Sequence, residues 1–206
     1  MFTGIVQGQA ILSNKQGNNQ LSTLTFKFPT GTLKNIKEGA SVAINGTCLT
    51  VISFDLDGSN ASFDAIEETL RLTNLGELEI GHQVNFERAA KIGDEIGGHS
   101  MSGHIYCAAE IIKIIKTEKN CSLFFKLSKK IQPYLLNKGY VGLNGCSLTI
   151  GEVTNEYFNV YLIPETLKIT TFGTLSVGQK VNLEIDSQTQ AIVDTVEKIL
   201  ASKTSA

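Results

Sequence analysis

The sequence predicts an all-β protein with two similar antiparallel units, followed by one α-helix at the C-terminus. Three observations carry this prediction. Short apolar or alternating runs rich in β-branched and aromatic residues recur along the chain, separated by turn residues, which is typical of antiparallel barrels or sandwiches. The chain also repeats itself at offsets of 99 and 97 residues. A longer stretch with helical spacing of apolar residues follows only after residue 186.

Two motifs make the internal repeat visible. The heptapeptide NGTCLTV at 45–51 returns as NGCSLTI at 144–150, an offset of 99 residues. Residues 68–87 and 165–184 share 10 identities in 20 positions at an offset of 97. Chance would give about one or two identities at average residue usage. A duplication therefore organises the chain, and each copy has the length of an ordinary domain.

The β-prone runs are numerous and short in both copies. A hairpin-turn signal, Asp57-Gly58, separates two of them in the first copy. The corresponding region around 154–156 is two residues shorter, which explains the change of offset and predicts a loop there. The runs are 21–28, 41–44, 48–54, 61–66 and 84–89 in the first copy, and 105–115, 121–127, 141–143, 147–153, 157–163 and 181–185 in the second.

Two shorter segments show helical spacing of apolar residues. Leu33 and Ile36 suggest a short helix at 31–37, and Ile131 with Leu135 suggests another at 128–138. The link between the copies, 90–98, is rich in glycine and is predicted to be a joint or a turn.

The C-terminal segment differs from the rest of the chain. From 187 to 201 its apolar residues lie on one face of a helix, opposite polar residues, and Asp186 or Ser187 is a suitable N-cap. This helix has no counterpart in the first copy. Its apolar stripe is buried either on the chain's own units or in an oligomer interface, and both alternatives stay open. The stripe consists of Ile192, Val196, Ile199 and Leu200.

Composition excludes several classes of protein. The 206 residues are 42% hydrophobic with a net charge of −2 and no long basic run, so no nucleic-acid partner is indicated. The N-terminus lacks the features of a signal peptide, and no stretch approaches the length of a membrane span. The four cysteines show no CxxC pair, so we expect free thiols in a reducing cytoplasm.

The repeated heptapeptide places a pair of small polar side chains in each copy. Cys48 in the first copy corresponds to Ser147 in the second, and both residue types can act as nucleophiles although they differ strongly in acidity. Residues i and i+2 of a strand share a face, so Cys48 lies beside Thr50 and Ser147 beside Thr149. Such a pair suits the edge of a planar heterocycle. A plain Asn-Gly turn followed by a strand is the alternative.

The residues that follow two of the β-runs allow two interpretations. Segments 66–69 and 163–166 end in an acidic residue followed by threonine. They are either capping motifs, with Thr69 or Thr166 starting a turn, or strand ends whose backbone groups face a ligand that resembles uracil.

Motifs for nucleotide or metal chemistry are weak or absent. The sequence contains no phosphate loop, dinucleotide fingerprint, HExxH or GxSxG motif. His99, His104 and Cys107 form an H-x4-H-x2-C pattern, but this is an incomplete ligand set for a closed metal site. Histidines that form hydrogen bonds in a polar pocket are the favoured interpretation, and no metal is expected.

A combination of motifs along the whole chain resembles riboflavin synthases of the α-chain type, which carry two lumazine-binding repeats. No single motif carries the resemblance. Thr47 stands where the family often has a second cysteine, and Cys146 where a small or apolar residue is common, but neither changes the core of the motif. The matching segments are 1–6, 45–51, 68–71, 85–89, 94–99, 102–105, 147–149, 163–167 and Asp186.

The resemblance implies both an architecture and a reaction. It implies six-stranded antiparallel Greek-key barrels at 1–97 and 98–186, and an oligomerisation helix at 187–206 that holds a homotrimer. Two molecules of 6,7-dimethyl-8-ribityllumazine dismutate, one donating a four-carbon unit to the other. The products are riboflavin and 5-amino-6-(D-ribitylamino)uracil, and no cofactor is needed because the substrate is its own reaction partner. An association with lumazine synthase is a further expectation.

The resemblance also implies the residues of the site. Each active site lies between the first barrel of one subunit and the second barrel of its neighbour, so that two similar pockets face each other and align the two reactants. The pocket in the first copy comprises Gly4, Ile5, Val6, Cys48, Leu49, Thr50, Asp64, Ala65, Ile66, Glu67, Glu68 and Thr69. The pocket in the second comprises Gly103, His104, Ile105, Lys138, Ser147, Leu148, Thr149, Ile163, Pro164, Glu165, Thr166, Leu167 and Lys168.

Four residues are the expected catalytic groups. Cys48 suits nucleophilic addition, and Ser147 suits a hydrogen bond to the reacting ring or to a water. His104 is the acid/base candidate, because the ordinary histidine pKa lies near working pH. Asp186 would orient a partner base, or a serine or histidine of another subunit.

Two other classes of protein compete with the synthase. A lumazine-binding antenna protein of the same fold performs no chemistry, but such relatives tend to lose the glycine-histidine patterns that are intact at 97–99 and 103–104. A flavin oxidoreductase barrel would normally need a nucleotide domain, which the sequence does not indicate.

Overall fold

The computed structural model describes residues 1–55, 59–118 and 120–204. Within these residues the chain forms twelve β-strands and three α-helices. The first half contains β1 (Gly8–Gly17), β2 (Leu21–Lys27), β3 (Ser41–Ile44), β4 (Thr47–Phe54), β5 (Asn60–Ile66), α1 (Glu67–Leu72) and β6 (Gln83–Arg88). The second half contains β7 (Cys107–Lys116), β8 (Cys121–Lys126), β9 (Tyr140–Leu143), β10 (Cys146–Val153), β11 (Tyr157–Leu162), α2 (Pro164–Ile169) and β12 (Lys180–Ile185), followed by α3 (Ser187–Thr204).

The strands of each half close into a six-stranded antiparallel barrel. The order in the first barrel is β1-β2-β5-β4-β3-β6, and β1 pairs with β6 to close it. Strands β7 to β12 repeat this order, and the pairing of β12 with β7 closes the second barrel. The predicted fold class of two Greek-key barrels and a C-terminal helix is therefore confirmed. Closure matters because it leaves no unpaired sheet edge.

Alternation along the strands explains how each barrel acquires its own core. In β2 exposed and buried residues alternate, so that Leu24 and Phe26 point inward. These side chains pack with Phe63 inside the first barrel, and Phe125 packs with Phe158 inside the second. Burying each such aromatic side chain contributes about 1.5–3 kcal/mol. Each copy therefore encloses an apolar cluster of its own.

The predictions of short helices at 31–37 and 128–138 are wrong. The first segment forms turns, and Gly31 and Asn35 adopt left-handed backbone angles (φ of 82° and 61°) that interrupt an α-helix. The second contains only a 3-10 helix at Gln132–Tyr134. Segments this short do not hold a helix by themselves. Their apolar residues instead pack on the barrels, as the burial of Leu33 shows.

The sequence pattern does not indicate three elements that the structure contains. Strand β1 carries a bulge between Leu12 and Asn14, which breaks the alternation on which strand prediction depends. Helices α1 and α2 are only six residues long and have no side-chain N-cap. The predicted Asp57-Gly58 turn lies outside the described residues, but β4 and β5 on either side of it pair as antiparallel neighbours.

Asp186 is the N-cap of α3, which confirms one of the two predicted alternatives. Its Oδ2 accepts hydrogen bonds from Thr189 N at 3.0 Å and from Thr189 Oγ1 at 2.7 Å. Burial opposes ionisation of the carboxyl group, but these hydrogen bonds outweigh it and hold the pKa of Asp186 below its ordinary value.

Helix α3 leaves its apolar stripe uncovered within the described chain. It contacts the second barrel at the 3-10 helix Gln132–Tyr134, where the Tyr134 hydroxyl donates to Asp194 Oδ1 at 2.6 Å. Ile192 stays 65% exposed, and Val196 and Ile199 stay 49% exposed. The stripe is therefore not buried on the chain's own barrels. Among the described residues, no helix is long and apolar enough to span a membrane.

The two Asn-Gly turns meet at the interface between the barrels. Gly46 and Gly145 have φ of 78° and 81°, and a Cβ added to Gly46 would lie 2.6 Å from the Gly145 nitrogen. Asn182 Nδ2 donates to the Asn45 carbonyl at 2.9 Å, and Asn85 Nδ2 donates to the Asn144 carbonyl at the same distance. This half of the repeated motif therefore serves as a structural turn that joins the two copies.

Candidate functional site

The second half of the repeated motif presents a small polar pair on the outside of each barrel. On β4, Leu49 is buried in the first core, whereas Cys48 is half-buried and Thr50 is exposed. On β10, Ser147 is half-buried and Thr149 is exposed, while Leu148 packs against the second core. The predicted sharing of a face is therefore confirmed in both copies. We refer to the Cys48/Thr50 face as the thiol half-site and to the Ser147/Thr149 face as the hydroxyl half-site.

Each half-site is completed by a backbone segment from the other copy. The Ser147 amide donates to the Gly4 carbonyl at 2.8 Å, and the Cys48 amide donates to the Gly103 carbonyl at 2.9 Å. The position of Val6 agrees with this exchange, because its side chain packs into the core of the second barrel. The structure thus brings segments 4–6 and 103–105 to the half-site of the opposite copy, whereas the resemblance grouped each segment with the pocket of its own copy. Sequence cannot show which barrel a segment before the first strand will contact.

Glycine is required where these segments touch the half-sites. Gly4 and Gly103 have φ of 74° and 80°, which side chains rarely tolerate. A Cβ on Gly4 would lie 2.5 Å from Ser147 Cβ, and one on Gly103 would lie 2.6 Å from Cys48 Cβ. Gly98 also lies against the hydroxyl half-site, since its Cβ would be 2.6 Å from Ser147 Cβ.

Two buried glutamates, which the sequence patterns do not single out, hold the exchanged segments. Glu87 Oε1 accepts from Thr3 N at 2.6 Å and from Thr3 Oγ1 at 2.8 Å, and its Oε2 accepts from Gly4 N at 3.0 Å. Glu184 makes the equivalent contacts to Ser102 and to Gly103 N. The signal that could have found them is an identical charged residue at the end of an otherwise apolar strand in both copies.

Burial dominates the electrostatics of both glutamates. It raises the pKa of the Glu87 and Glu184 carboxyl groups above the ordinary value, although the hydrogen bonds from the exchanged segments oppose the shift. A buried carboxylate with three donors is a strong acceptor, because charge-assisted hydrogen bonds are the shorter and stronger class.

A histidine is part of the hydroxyl half-site. His99 Nδ1 lies 2.6 Å from Ser147 Oγ, and its ring stacks on Tyr140 with centroids 5.0 Å apart. Burial lowers the pKa of His99, and the nearby charge of Asp186 opposes the shift. This contact agrees with the interpretation of the histidines as hydrogen-bonding groups. It also distinguishes Ser147 from Cys48, whose side chain forms no such contact with a histidine within the described residues.

The predicted catalytic residues fall into two groups. His104 is exposed and directly follows Gly103, whose carbonyl accepts a hydrogen bond from the Cys48 amide. Asp186 is related to Ser147 only indirectly, through its charge near His99, since its oxygens cap α3.

Lys138, which is predicted in the second pocket, is exposed. Its φ is 67°, and its backbone amide donates to the Ile150 carbonyl at 3.0 Å.

The residues predicted at the strand ends lead into α1 and α2. Ala65 points into the first core, and Asp64 points outward, accepting a hydrogen bond from Thr23 Oγ1 at 2.6 Å. Ile66 and Ile163, the residues before the helices, remain 59% and 62% exposed beside the barrels. The exposed residues Glu67 and Glu68 and the half-buried Thr69 occupy the first turn of α1; Pro164, Glu165, Thr166, Leu167 and Lys168 lie in α2.

Neither threonine caps its helix, so the capping interpretation is wrong. The Thr69 carbonyl accepts from the Thr73 hydroxyl at 2.7 Å, and the Thr166 carbonyl accepts from the Thr170 hydroxyl at 2.6 Å. Thr73 and Thr170 then cap the next 3-10 helices through their side chains.

The four cysteines stand in different surroundings. All four are free thiols. Burial raises the pKa of the Cys107 and Cys121 thiols, and that of Cys146 to about 12, so these thiols are poor nucleophiles. Cys48 is half-buried on the outer face of its barrel. Within the described residues, no three His, Cys, Asp or Glu side chains are grouped as metal ligands.

Comparison with known proteins agrees with the duplication of the chain. The model of the lumazine binding domain matches the chain twice, over residues 3–89 and 102–186. Riboflavin synthase from Escherichia coli (strain K12) is 51% identical over 207 aligned positions, covering all of this chain and 96% of that protein. Riboflavin synthase from Buchnera aphidicola subsp. Schizaphis graminum is 45% identical, covering 97% of this chain and 96% of that protein.

A solved structure shares the fold of two barrels. It is LumP complexed with 6,7-dimethyl-8-(1'-D-ribityl) lumazine, with a TM-score of 0.81 and 28% identity over 91% of this chain and all of that one. The chain matches the domain twice and aligns over its full length with the synthases. This chain belongs to the lumazine-binding family of the riboflavin synthases.

Proposed function

We propose that the chain is a riboflavin synthase, a transferase that dismutates two molecules of 6,7-dimethyl-8-ribityllumazine. One molecule donates a four-carbon unit to the other, and the products are riboflavin and 5-amino-6-(D-ribitylamino)uracil. The observation that carries the proposal is the duplicated half-site, a small polar pair beneath an exchanged glycine segment in both copies. A reaction between two copies of one molecule needs two such halves. Full-length identity of 51% to a riboflavin synthase supports the same conclusion.

Geometry suggests how the two half-sites share the chemistry. A base must remove a proton from the C7 methyl group of one lumazine, and a nucleophile must add at C7 of the other. The half-buried Cys48 thiol supplies or assists the nucleophile, and the exposed His104, which follows the Gly103 that binds the Cys48 amide, serves as acid or base. Ser147, held by His99, donates or accepts a hydrogen bond at the second ring. Asp186 orients this side through its charge near His99.

The substrate supplies both the electrons and the carbon atoms of the reaction, so the proposal requires no cofactor. Alignment of the two lumazines provides much of the rate acceleration, because it converts a bimolecular encounter into a reaction within one complex. The exposed isoleucines before α1 and α2, Ile66 and Ile163, offer apolar contact beside the polar pairs.

The complete site is proposed to lie between subunits of a homotrimer. In this arrangement the first barrel of one copy faces the second barrel of the next. The uncovered stripe on α3 supports further copies of this chain as its occupant, because three apolar side chains at helical spacing remain about half exposed or more. Residues 1–97 and 98–186 are proposed as the lumazine-binding units, and 187–206 as the oligomerisation segment.

Two further assignments accompany the proposal. The four free cysteines support a reducing compartment, the cytoplasm. An association with lumazine synthase, which would supply the substrate, is the proposed protein partnership.

A non-catalytic lumazine-binding protein is the second candidate. The similarity to LumP, which was solved with a lumazine bound, favours it. The 28% identity to LumP is much lower than the 51% to the synthase, and the glycine-histidine patterns at 97–99 and 103–104 are intact. These facts favour the enzyme.

One assay separates the two candidates. Purified protein is mixed anaerobically with 6,7-dimethyl-8-ribityllumazine and nothing else, and both compounds are followed by absorbance. We expect one riboflavin for every two lumazines consumed. A stable, fluorescent complex without turnover would instead establish the binding protein.

A further inference from the structure

We propose that Glu87 and Glu184 are positioning residues that act across the barrels. Each carboxylate is fixed on one barrel and holds the glycine segment that shapes the half-site of the other barrel. This inference rests on the proposed function for its catalytic consequence. Its geometric part, the control of one half-site from the opposite barrel, can be tested without any substrate.

Two continuous chains of contacts carry the proposal. Glu87 stands on β6 of the first barrel and binds Thr3 and Gly4, and the Gly4 carbonyl binds the amide of Ser147 on the second barrel. In the opposite direction, Glu184 on β12 of the second barrel binds the Gly103 amide, and the carbonyl of the same glycine binds the amide of Cys48 on the first. Every step is a hydrogen bond of 3.2 Å or less.

Close packing makes the half-sites sensitive to these segments. Gly4 and Gly103 approach Ser147 and Cys48 so closely that neither has room for a Cβ. A shift of a few tenths of an ångström in either segment therefore changes the space around the reactive side chain. Interiors packed this tightly transmit displacement rather than absorb it.

A carboxylate is the side chain that this position requires. Glu87 and Glu184 are only 3% and 4% exposed, and each accepts hydrogen bonds from two backbone amides and one hydroxyl. Two oxygens without hydrogens can accept all three. A glutamine would turn its NH₂ group toward one of the donors and leave that donor unpaired. A purely structural core position would be filled at lower cost by an apolar residue.

The proposal makes a crosswise prediction that ordinary destabilisation does not make. Glu184→Gln should expose the Cys48 thiol although the two residues belong to different barrels, and Glu87→Gln should leave Cys48 unchanged. The rate of Cys48 alkylation by iodoacetamide, followed by peptide mass mapping, measures this. We expect about a tenfold increase for Glu184→Gln and less than about twofold for Glu87→Gln, because loss of a charge-assisted hydrogen bond favours local opening.

The reverse experiment uses a thiol introduced by Ser147→Cys. In that background Glu87→Gln should accelerate alkylation at position 147, and Glu184→Gln should not. Alkylation of the neighbouring Cys146 is scored separately by fragmentation of the labelled peptide, because the charge of Glu87 contributes, after burial, to the raised pKa of Cys146 and is lost in Glu87→Gln. Equal acceleration in both variants, or none in either, would overturn the proposal.

Milder variants guard against loss of the fold. Thr3→Val and Ser102→Ala each remove one hydroxyl donor from the glutamate contacts and leave the carboxylate in place. They should give the same crosswise pattern with smaller increases in the alkylation rate. Ser102→Ala should accelerate alkylation of Cys48, and Thr3→Val should accelerate alkylation of the cysteine at position 147. A pattern confined to each residue's own barrel would contradict the proposal.

Turnover supplies the catalytic part of the test. Both glutamine variants should lower kcat while urea unfolding still shows a folded protein at the assay conditions. Unchanged kcat in both variants despite crosswise labelling would overturn the positioning role in the reaction. An inactive wild-type protein would overturn the proposed function alone, because the labelling experiments need no substrate.

Discussion

At the scale of single residues, Cys48 and Ser147 occupy equivalent positions with different surroundings. Ser147 Oγ is 2.6 Å from His99 Nδ1, and two glycines lie against the Ser147 side chain. Within the described residues the Cys48 side chain makes no hydrogen bond, and it packs against the cluster of Phe2, Ala43 and Met101. The duplication therefore supplies two similar halves, and His99 makes them chemically different.

Swapping the two side chains should impair the enzyme in different ways. Cys48→Ser fits the space but removes the thiol, so we expect kcat to fall on the order of 100-fold with little change in KM. Ser147→Cys places a larger sulfur against Gly4 and Gly98, so we expect mainly a raised KM. Steady-state kinetics measures both. Equal and negligible effects would return the pair to the status of ordinary strand residues.

His99 should make stability depend on pH on the acid side. Burial lowers its pKa in the folded protein, so the unfolded chain binds the proton first as the pH falls. The contribution of neutral His99 is present above the ordinary histidine pKa of about 6.5 and is lost as the pH falls toward the folded value. Urea midpoints between about pH 5 and pH 7 should therefore drop more for the wild type than for His99→Gln. Parallel curves would contradict this assignment.

At the scale of elements, short segments outside the strands decide where the half-sites form. The residues before β1 and before β7 cross to the opposite barrel, and each is held there by a glutamate from its own barrel. Helix α3 is fixed at its start by the Asp186 cap and along its length by the contact of Tyr134 with Asp194. These contacts set the direction in which the apolar stripe faces.

Removal of the N-cap should weaken α3 selectively. Asp186→Ala should lower the free energy of unfolding by about 0.5–2 kcal/mol at neutral pH, because the amide of Thr189 loses its acceptor. Ser187→Ala, at the other cap position that the sequence allowed, is the matched control and should change little. The difference should shrink as the pH falls through the lowered pKa of Asp186, because the protonated carboxyl group is a weaker acceptor. Urea unfolding of both variants at neutral pH and in acid checks this.

At the scale of the whole molecule, the two barrels are joined along the line where their Asn-Gly turns meet. Four buried asparagines cross the interface with side-chain and backbone hydrogen bonds, and the glycines allow backbone to touch backbone. Asn45 and Asn144, which close a hairpin within each copy, therefore also help to hold the copies together. The asparagines are Asn45, Asn85, Asn144 and Asn182.

Comparing a Gly→Ala change at this interface with one away from it should separate backbone strain from steric conflict. Gly46→Ala and Gly178→Ala both place alanine at positive φ, but only Gly46 of the two faces backbone within 3 Å. We expect Gly178→Ala to cost about 1 kcal/mol from backbone strain and Gly46→Ala to cost at least about 1 kcal/mol more. Thermal or urea unfolding measures the difference. Equal losses of unfolding free energy in the two variants would show that the interface accommodates the added Cβ without a steric penalty.

The oligomeric state tests the stripe on α3. Val196→Lys should convert the proposed trimer to monomers, because a buried ammonium group without a partner is strongly unfavourable. Ala191→Lys adds the same charge on a different face of α3 and should leave the trimer intact. Sedimentation velocity distinguishes the species, and the monomers should lose turnover if the site lies between subunits. A Val196→Lys variant that remains trimeric would contradict the role of the stripe.

Local patterns in the sequence predict much of the fold. The predicted strands begin and end within two residues of observed ones, because alternation between a core face and an outer face is visible along one strand. The bulged β1 and the six-residue helices α1 and α2 escape prediction, since each breaks or falls short of the period on which such predictions depend. The predictions of helices at 31–37 and 128–138 fail because helical spacing over so few residues does not specify a helix.

The sequence by itself determined the duplication, the barrel-forming strands, the shared face of Cys48 and Thr50, and a helix cap at either Asp186 or Ser187. These features depend on residues that are neighbours along the chain or on a repeat that is visible in it. Only the tertiary structure decided that the glycine segments exchange between barrels, that Glu87 and Glu184 hold them, and that His99 binds Ser147. Those contacts join residues that are far apart along the chain, so no local period records them, and packing of the two barrels selects them.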